Sequence, residues 1–104
     1  MQILLTAATP NEIELFINMY GNIDILITGV GVPSTMYHLQ KRLQETEYDF
    51  VIQAGIAGAF TEELNLAETV LVKQDSFGDL GTEEKNIFTP CIASGLINPN
   101  EFPF

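Results

Sequence analysis

The sequence predicts an α/β fold, a mostly parallel sheet flanked by helices. Short apolar runs rich in β-branched residues alternate with segments of helical periodicity. Each of the first three apolar runs also ends in small residues and turn formers, "TAATP", "TGVG" and "QAGIAG". Strand-helix-strand order of this kind makes parallel neighbours joined by right-handed crossovers.

The elements follow in order. "ILLTAA", Ile3 to Ala8, reads as a short buried strand. In "TPNEIELFINMY" the residues Ile13, Phe16, Ile17 and Tyr20 share one helical face. Thr9 suits the N-cap, Pro10 the first turn, and Glu12 completes a Thr-x-x-Glu capping box. Gly21-Asn22 punctuates, and Ile23 to Gly31 is a second apolar run ending in two glycines. From Ser34 to about Glu47 a second helix carries Met36, Leu39 and Leu43 inward and turns Gln40, Lys41, Arg42 and Gln44 outward. "DFVIQAG" is a third strand and Ala67 to Gln74 a fourth, and the remainder from Asp75 is expected to be irregular. Three loops, 7–11, 29–34 and 54–61, then stand at the carboxyl ends of successive strands, the edge where open α/β sheets bind ligands.

At 104 residues, 46% of them hydrophobic, the chain suits one small domain with a modest core. Its 14 acidic and 4 basic residues give a net charge of −10, which repels phosphate backbones and anionic membranes, so no nucleic acid and no membrane is expected as partner. The first residues have neither a leading positive charge nor a long apolar run, so no signal peptide or anchor is expected. Cys91 is the one cysteine, which permits no internal disulfide and fits a reducing, cytoplasmic setting.

"GVGVPS" begins as a dinucleotide fingerprint, but Ser34 stands where the third glycine should be, and a tight strand-to-helix turn accounts for both glycines. No cofactor is expected. The chain has no Gly-x-Ser-x-Gly elbow, no Cys/His ligand cluster and no phosphate-binding Gly-Lys-Ser/Thr loop, so no metal site is expected either. His38 falls on the polar side of its helix. Glu12 has two readings that compete for one side chain: a helix-capping carboxylate, or a general base at the mouth of the sheet. In "DSFGDLGTEE", Phe77 is either the anchor of a solvated acidic turn or an aromatic wall beside the cleft.

Taken jointly, "ILLTAATPNEIE", "ILITGVGVPSTMYHL", "VIQAGIAGAF" and "VKQDSFGDLG" resemble the start of the nucleoside phosphorylase and nucleosidase superfamily. With "FGDLGTEE" and "GLINPNEFPF" the likeness is greatest to the futalosine hydrolases of menaquinone biosynthesis, and it covers essentially all of residues 1–104. The resemblance implies a phosphorylase/hydrolase-like fold and cleavage of an N-glycosidic bond, releasing hypoxanthine from futalosine. Glu12 falls where the hydrolytic members place their water-activating glutamate, and Ala8 and Thr9 line the same loop. Ile56, Ala57 and Gly58 match the backbone laid against the nucleoside; Phe77 is a candidate substrate contact from its place in "DSFGDLGTEE" alone, with the turn anchor still open. The family's members run roughly twice this length, which makes residues 1–104 the N-terminal part of a single nucleosidase domain with little expected turnover alone. They are oligomers, and Phe102 and Phe104 match a segment that reaches toward the neighbouring subunit, which makes them candidate interface residues, with simple packing of the tail as the alternative.

The residues themselves favour hydrolysis over phosphorolysis, since a phosphate dianion is generally gripped by arginine forks and the single arginine, Arg42, lies on a helix. Ile56 replaces the serine of relatives that cleave methylthioadenosine, and Ala67-Glu68 stands where Gly-Asp is more usual, a turn variation expected to be harmless. Two alternatives stay open: a nucleosidase for another purine nucleoside such as methylthioadenosine, and a non-catalytic α/β association module.

Overall fold

A computed structural model describes residues 1–20, 22–98 and 100–101. It is a small mixed α/β fold. The chain divides into two compact units, Met1–Glu62 and Glu63–Phe104.

The first unit is built on a three-stranded parallel sheet of order β2-β1-β3, with β1 at Ile3–Ala7, β2 at Asp24–Ile27 and β3 at Phe50–Gln53. The central strand is apolar but for Thr6 because both its faces and both its edges are covered: Leu4, Leu5, Thr6 and Ala7 are all buried, and the Thr6 hydroxyl donates to Ile52 O. Leu5 pairs with Ile25 and Ile52, and Leu4 with Asp24 and Val51, which fixes the register across the sheet. Ladder bonds continue one residue beyond the strands, from Thr28 N–H to Ala7 O at 2.9 Å and from Ala54 N–H to Thr6 O at 2.8 Å. All three strands therefore run out at the same edge.

Between β1 and β2 the expected single helix is two pieces, a 3-10 turn at Pro10–Glu12 and helix α1 at Glu14–Met19. Ile13 is the joint, with φ −128° and ψ 16°, outside helical geometry. The break lets Ile13 drop into the core, where it meets Leu5 and Ala7 with Phe16, Ile23, Ile25 and Ala54 packed around them. Ile17 and Tyr20, expected on the same inward face, are exposed; a helix of six residues has room for about one turn and a half of contact.

Helix α2, Val32–Glu45, begins two residues before the expected start, with Pro33 in its first turn. Its stripe is only partly covered: Leu39 is half-buried, but Met36 and Leu43 are exposed. Arg42, expected to face outward, instead donates from Nη1 to Asp24 Oδ1 at 2.9 Å and to the Tyr48 hydroxyl at 3.4 Å. The Tyr48 hydroxyl closes the triangle by donating to Asp24 Oδ2. Asp24 opens β2 and Tyr48 precedes β3, so this network clamps the amino edge of the sheet.

In the second unit the expected fourth strand, Ala67–Gln74, forms no ladder among the described residues. Ala67 takes φ 63°, a left-handed turn closed by hydrogen bonds from Asn65 N–H and Nδ2 to Glu68 Oε2 at 2.9 and 3.1 Å. An apolar β-branched run becomes a strand only against an edge that takes its backbone bonds; here Leu71 is 97% exposed. The segment expected to be irregular holds a hairpin instead, β4 at Gly81–Glu84 and β5 at Ile87–Pro90, antiparallel, with Thr82 opposite Thr89 and Glu83 opposite Phe88. Lys85 and Asn86 turn it with φ 53° and 63°, the double left-handed pattern of a type I′ turn. Gly81 is required there, because any side chain would run into the Thr89 carbonyl and the Phe88 ring.

Candidate functional site

Parallel strands bring the loops after β1, β2 and β3 to one edge, and the strand order reverses at β1, with β2 on one side and β3 on the other. The carboxyl edge outside the β1 and β3 ends is thus the switch point of the sheet, the place where such folds take ligands.

The loop after β1 supplies Ala8, Thr9 and Glu12, all half-buried. Thr9 is extended, with φ −134° and ψ 154°, and its N–H donates to Glu12 Oε2 at 2.8 Å. This is the carboxylate half of a capping box. It also fixes where the rest of the carboxylate points. A Cβ placed on Gly55, two residues beyond β3, would lie 3.5 Å from Glu12 Oε1. One oxygen of Glu12 holds the turn and the other faces the bare backbone after β3. The two readings that compete for this side chain are compatible, because each uses a different oxygen.

Beyond Gly55 the backbone of residues 56–59 belongs to no helix or strand. Ile56 is 82% exposed, Ala57 and Gly58 are exposed, and Phe60 is fully so. The first unit therefore presents a carboxylate, a stretch of uncovered main chain and two apolar side chains from one edge. Phe77 lies in the second unit, half-exposed in irregular backbone. Phe102 and Phe104 lie outside the described residues.

The loop after β2 is tied down rather than open. Thr28, buried, donates from Oγ1 to Ala7 O at 3.3 Å, and Ser34 Oγ donates to Thr28 O at 2.6 Å. Gly29 has φ 78°, and a Cβ there would fall 2.6 Å from Ser34 Oγ. The glycine and Ser34 of "GVGVPS" thus serve a tight strand-to-helix turn. Thr28 belongs to no motif in the sequence, and its role comes from its position one residue after β2.

Electrostatics separate the two edges of the sheet. The Tyr48 hydroxyl, and after it Arg42, hold the Asp24 carboxyl below its ordinary value of 3.8. The one arginine is committed at the amino edge, the far end of the strands from Glu12. Among the described residues, no group of three or more His, Cys, Asp and Glu side chains could hold a metal ion, and no helix is long and apolar enough to cross a membrane. A depression of about 320 Å³ lined by Tyr37, Gln40, Lys41 and Gln44 lies along α2 alone, with no second element to converge on a ligand. No protein-family model matches the chain, and no curated protein and no solved structure matches it.

Proposed function

We propose that the chain supplies the water-activating part of an N-ribosyl hydrolase. Within that class we assign it to cleavage of futalosine, releasing hypoxanthine, on a phosphorylase/hydrolase-like fold. The observation that carries the reading is the position of Glu12: its Oε2 is anchored by the Thr9 amide and its Oε1 faces Gly55 at the carboxyl edge between β1 and β3. A carboxylate held this way accepts a proton from water as the water oxygen bonds to the ribose C1′ and the C1′–N bond breaks. The transition state resembles an oxocarbenium ion, as in O-glycoside cleavage, and a nearby carboxylate stabilises it. Ala8 and Thr9 bound the nucleophile side, while the main chain of Ile56, Ala57 and Gly58 offers amides and carbonyls to a ribose and base. The chain is assigned to a cytoplasmic homo-oligomer.

Water rather than phosphate is the nucleophile on this reading. A phosphate dianion needs guanidinium or clustered amide donors, and Arg42 is spent on Asp24 and Tyr48. The test uses the protein encoded by the full reading frame, incubated with futalosine and, separately, with methylthioadenosine in phosphate-free buffer. Free hypoxanthine from futalosine, at a rate unchanged by added phosphate, is the expected result; adenine from methylthioadenosine alone moves the assignment to that substrate. No base from either nucleoside overturns the proposal.

One observation favours a second reading, a non-catalytic association module. β3 is exposed along its length, with Phe50 59% and Ile52 49% accessible, and open apolar edges attract partner strands.

A further inference from the structure

Glycines are commonly held in place by a left-handed backbone or by a neighbour that a side chain would strike. Gly29 and Gly81 are such cases. Gly55 is neither. Its φ lies outside the left-handed region, and the one atom within 4 Å of an added Cβ is Glu12 Oε1, at 3.5 Å, an ordinary contact distance. Nothing in the local fold excludes alanine at this position. What alanine would change is the space in front of the carboxylate oxygen that the cap leaves free.

We propose that Gly55 is a positioning residue: its bare Cα keeps open the place beside Glu12 Oε1 where the attacking water is held. The inference rests on the nucleosidase reading above. A water donating to Oε1 sits about 2.8 Å from it, and a methyl carbon 3.5 Å from the same oxygen occupies the adjoining shell. The two cannot share that side of the carboxylate. In the reaction the water oxygen bonds to C1′ and its proton passes to Oε1. The electron pair of the C1′–N bond leaves with the base, which takes up a proton. Displacing the water by a fraction of its diameter spoils the first of these events without touching the nucleoside's own contacts.

The test compares Gly55→Ala with wild type and Glu12→Gln in the protein encoded by the full reading frame, using futalosine and methylthioadenosine as substrates. Misplacement of a reacting group by about 1 Å costs on the order of 10²-fold, so kcat is expected to fall at least about 10-fold with KM nearly unchanged. The thermal midpoint should stay level or rise, because alanine at a compatible φ restricts the unfolded chain. Crystals should show an ordered water on Glu12 Oε1 in wild type and none there in Gly55→Ala. Full kcat in Gly55→Ala beside an impaired Glu12→Gln overturns the role of Gly55 and leaves the nucleosidase reading standing. A raised KM at constant kcat, or a lowered midpoint, reassigns Gly55 to substrate clearance or to the fold and overturns it equally. A wild type that releases no base removes both proposals.

Discussion

At the scale of single residues, the proposed function asks two things of the one Glu12 carboxylate. The Thr9 amide needs only an acceptor, which glutamine provides as well as glutamate, whereas proton abstraction needs the ionised group. The roles can be separated by substitution. Glu12→Ala should destabilise the first unit by about 1 kcal/mol, as loss of a capping contact does, while Glu12→Gln should hold its denaturation midpoint close to wild type. Urea titration of the two variants checks this, and equal losses would mean that charge, not the hydrogen bond, holds the turn. Asp24 allows a prediction in pH. Its folded pKa is lowered, by the Tyr48 hydroxyl first and Arg42 next, so its contribution is present above the ordinary value of 3.8 and is lost as pH falls through the lowered value. The side chain is 47% exposed, which limits the contribution to about 1 kcal/mol or less. Asp24→Asn should therefore cost that amount at neutral pH, with the difference from wild type closing below the ordinary carboxylate range. Ala67 sits at φ 63°, so the turn variation expected to be harmless carries a steric cost that glycine would relieve.

At the scale of elements, the strands and helices of the first unit were legible because their signals are local and agree with one another. An apolar run, a Thr-Pro-x-Glu start and a 3.6-residue stripe point to the same boundaries within two residues, except after β2, which ends at Ile27, four residues short of the end of its run at Gly31. The break at Ile13 was not legible, since it arises from Ile13 finding the core, a tertiary event that leaves the periodicity intact. The fourth strand was over-read for the converse reason. "AETVLVKQ" has strand composition, but composition supplies no partner edge, and the left-handed turn at Ala67 is hidden by a residue that normally avoids it. The hairpin was missed because its turn is Lys85-Asn86 rather than Asn-Gly. Replacing Lys85-Asn86 with Asn-Gly should strengthen it, by about 0.5–1 kcal/mol if each residue is relieved of left-handed strain less the entropy cost of glycine. Amide exchange of the cross-strand pair Thr82 and Thr89 would show it as slower opening. Unchanged exchange would mean that the turn does not limit hairpin stability.

At the scale of the whole molecule, the candidate site was legible as a place before it was legible as a geometry. Loop positions after parallel strands follow from element order, so Ala8, Thr9, Glu12 and the segment from Gly55 to Gly58 could be grouped from the sequence. That one oxygen of Glu12 caps while the other faces Gly55 could not, because spacing alone leaves a side chain's direction open. The exposed apolar edge of β3 has a consequence for association. Edge strands without charge invite pairing, while a net charge of −10 opposes it until salt screens the repulsion over about 10 Å. Sedimentation of the 11.5 kDa chain should show association that grows with ionic strength, and Val51→Lys on β3 should suppress it. Association that salt weakens would place the contact elsewhere. The account as a whole turns on Glu12 as the base for water, and the rate of purine release in phosphate-free buffer, wild type against Glu12→Gln, reads it most directly. A fall of about 10²-fold or more with the fold retained is the predicted result; release by Glu12→Gln at the wild-type rate would contradict it.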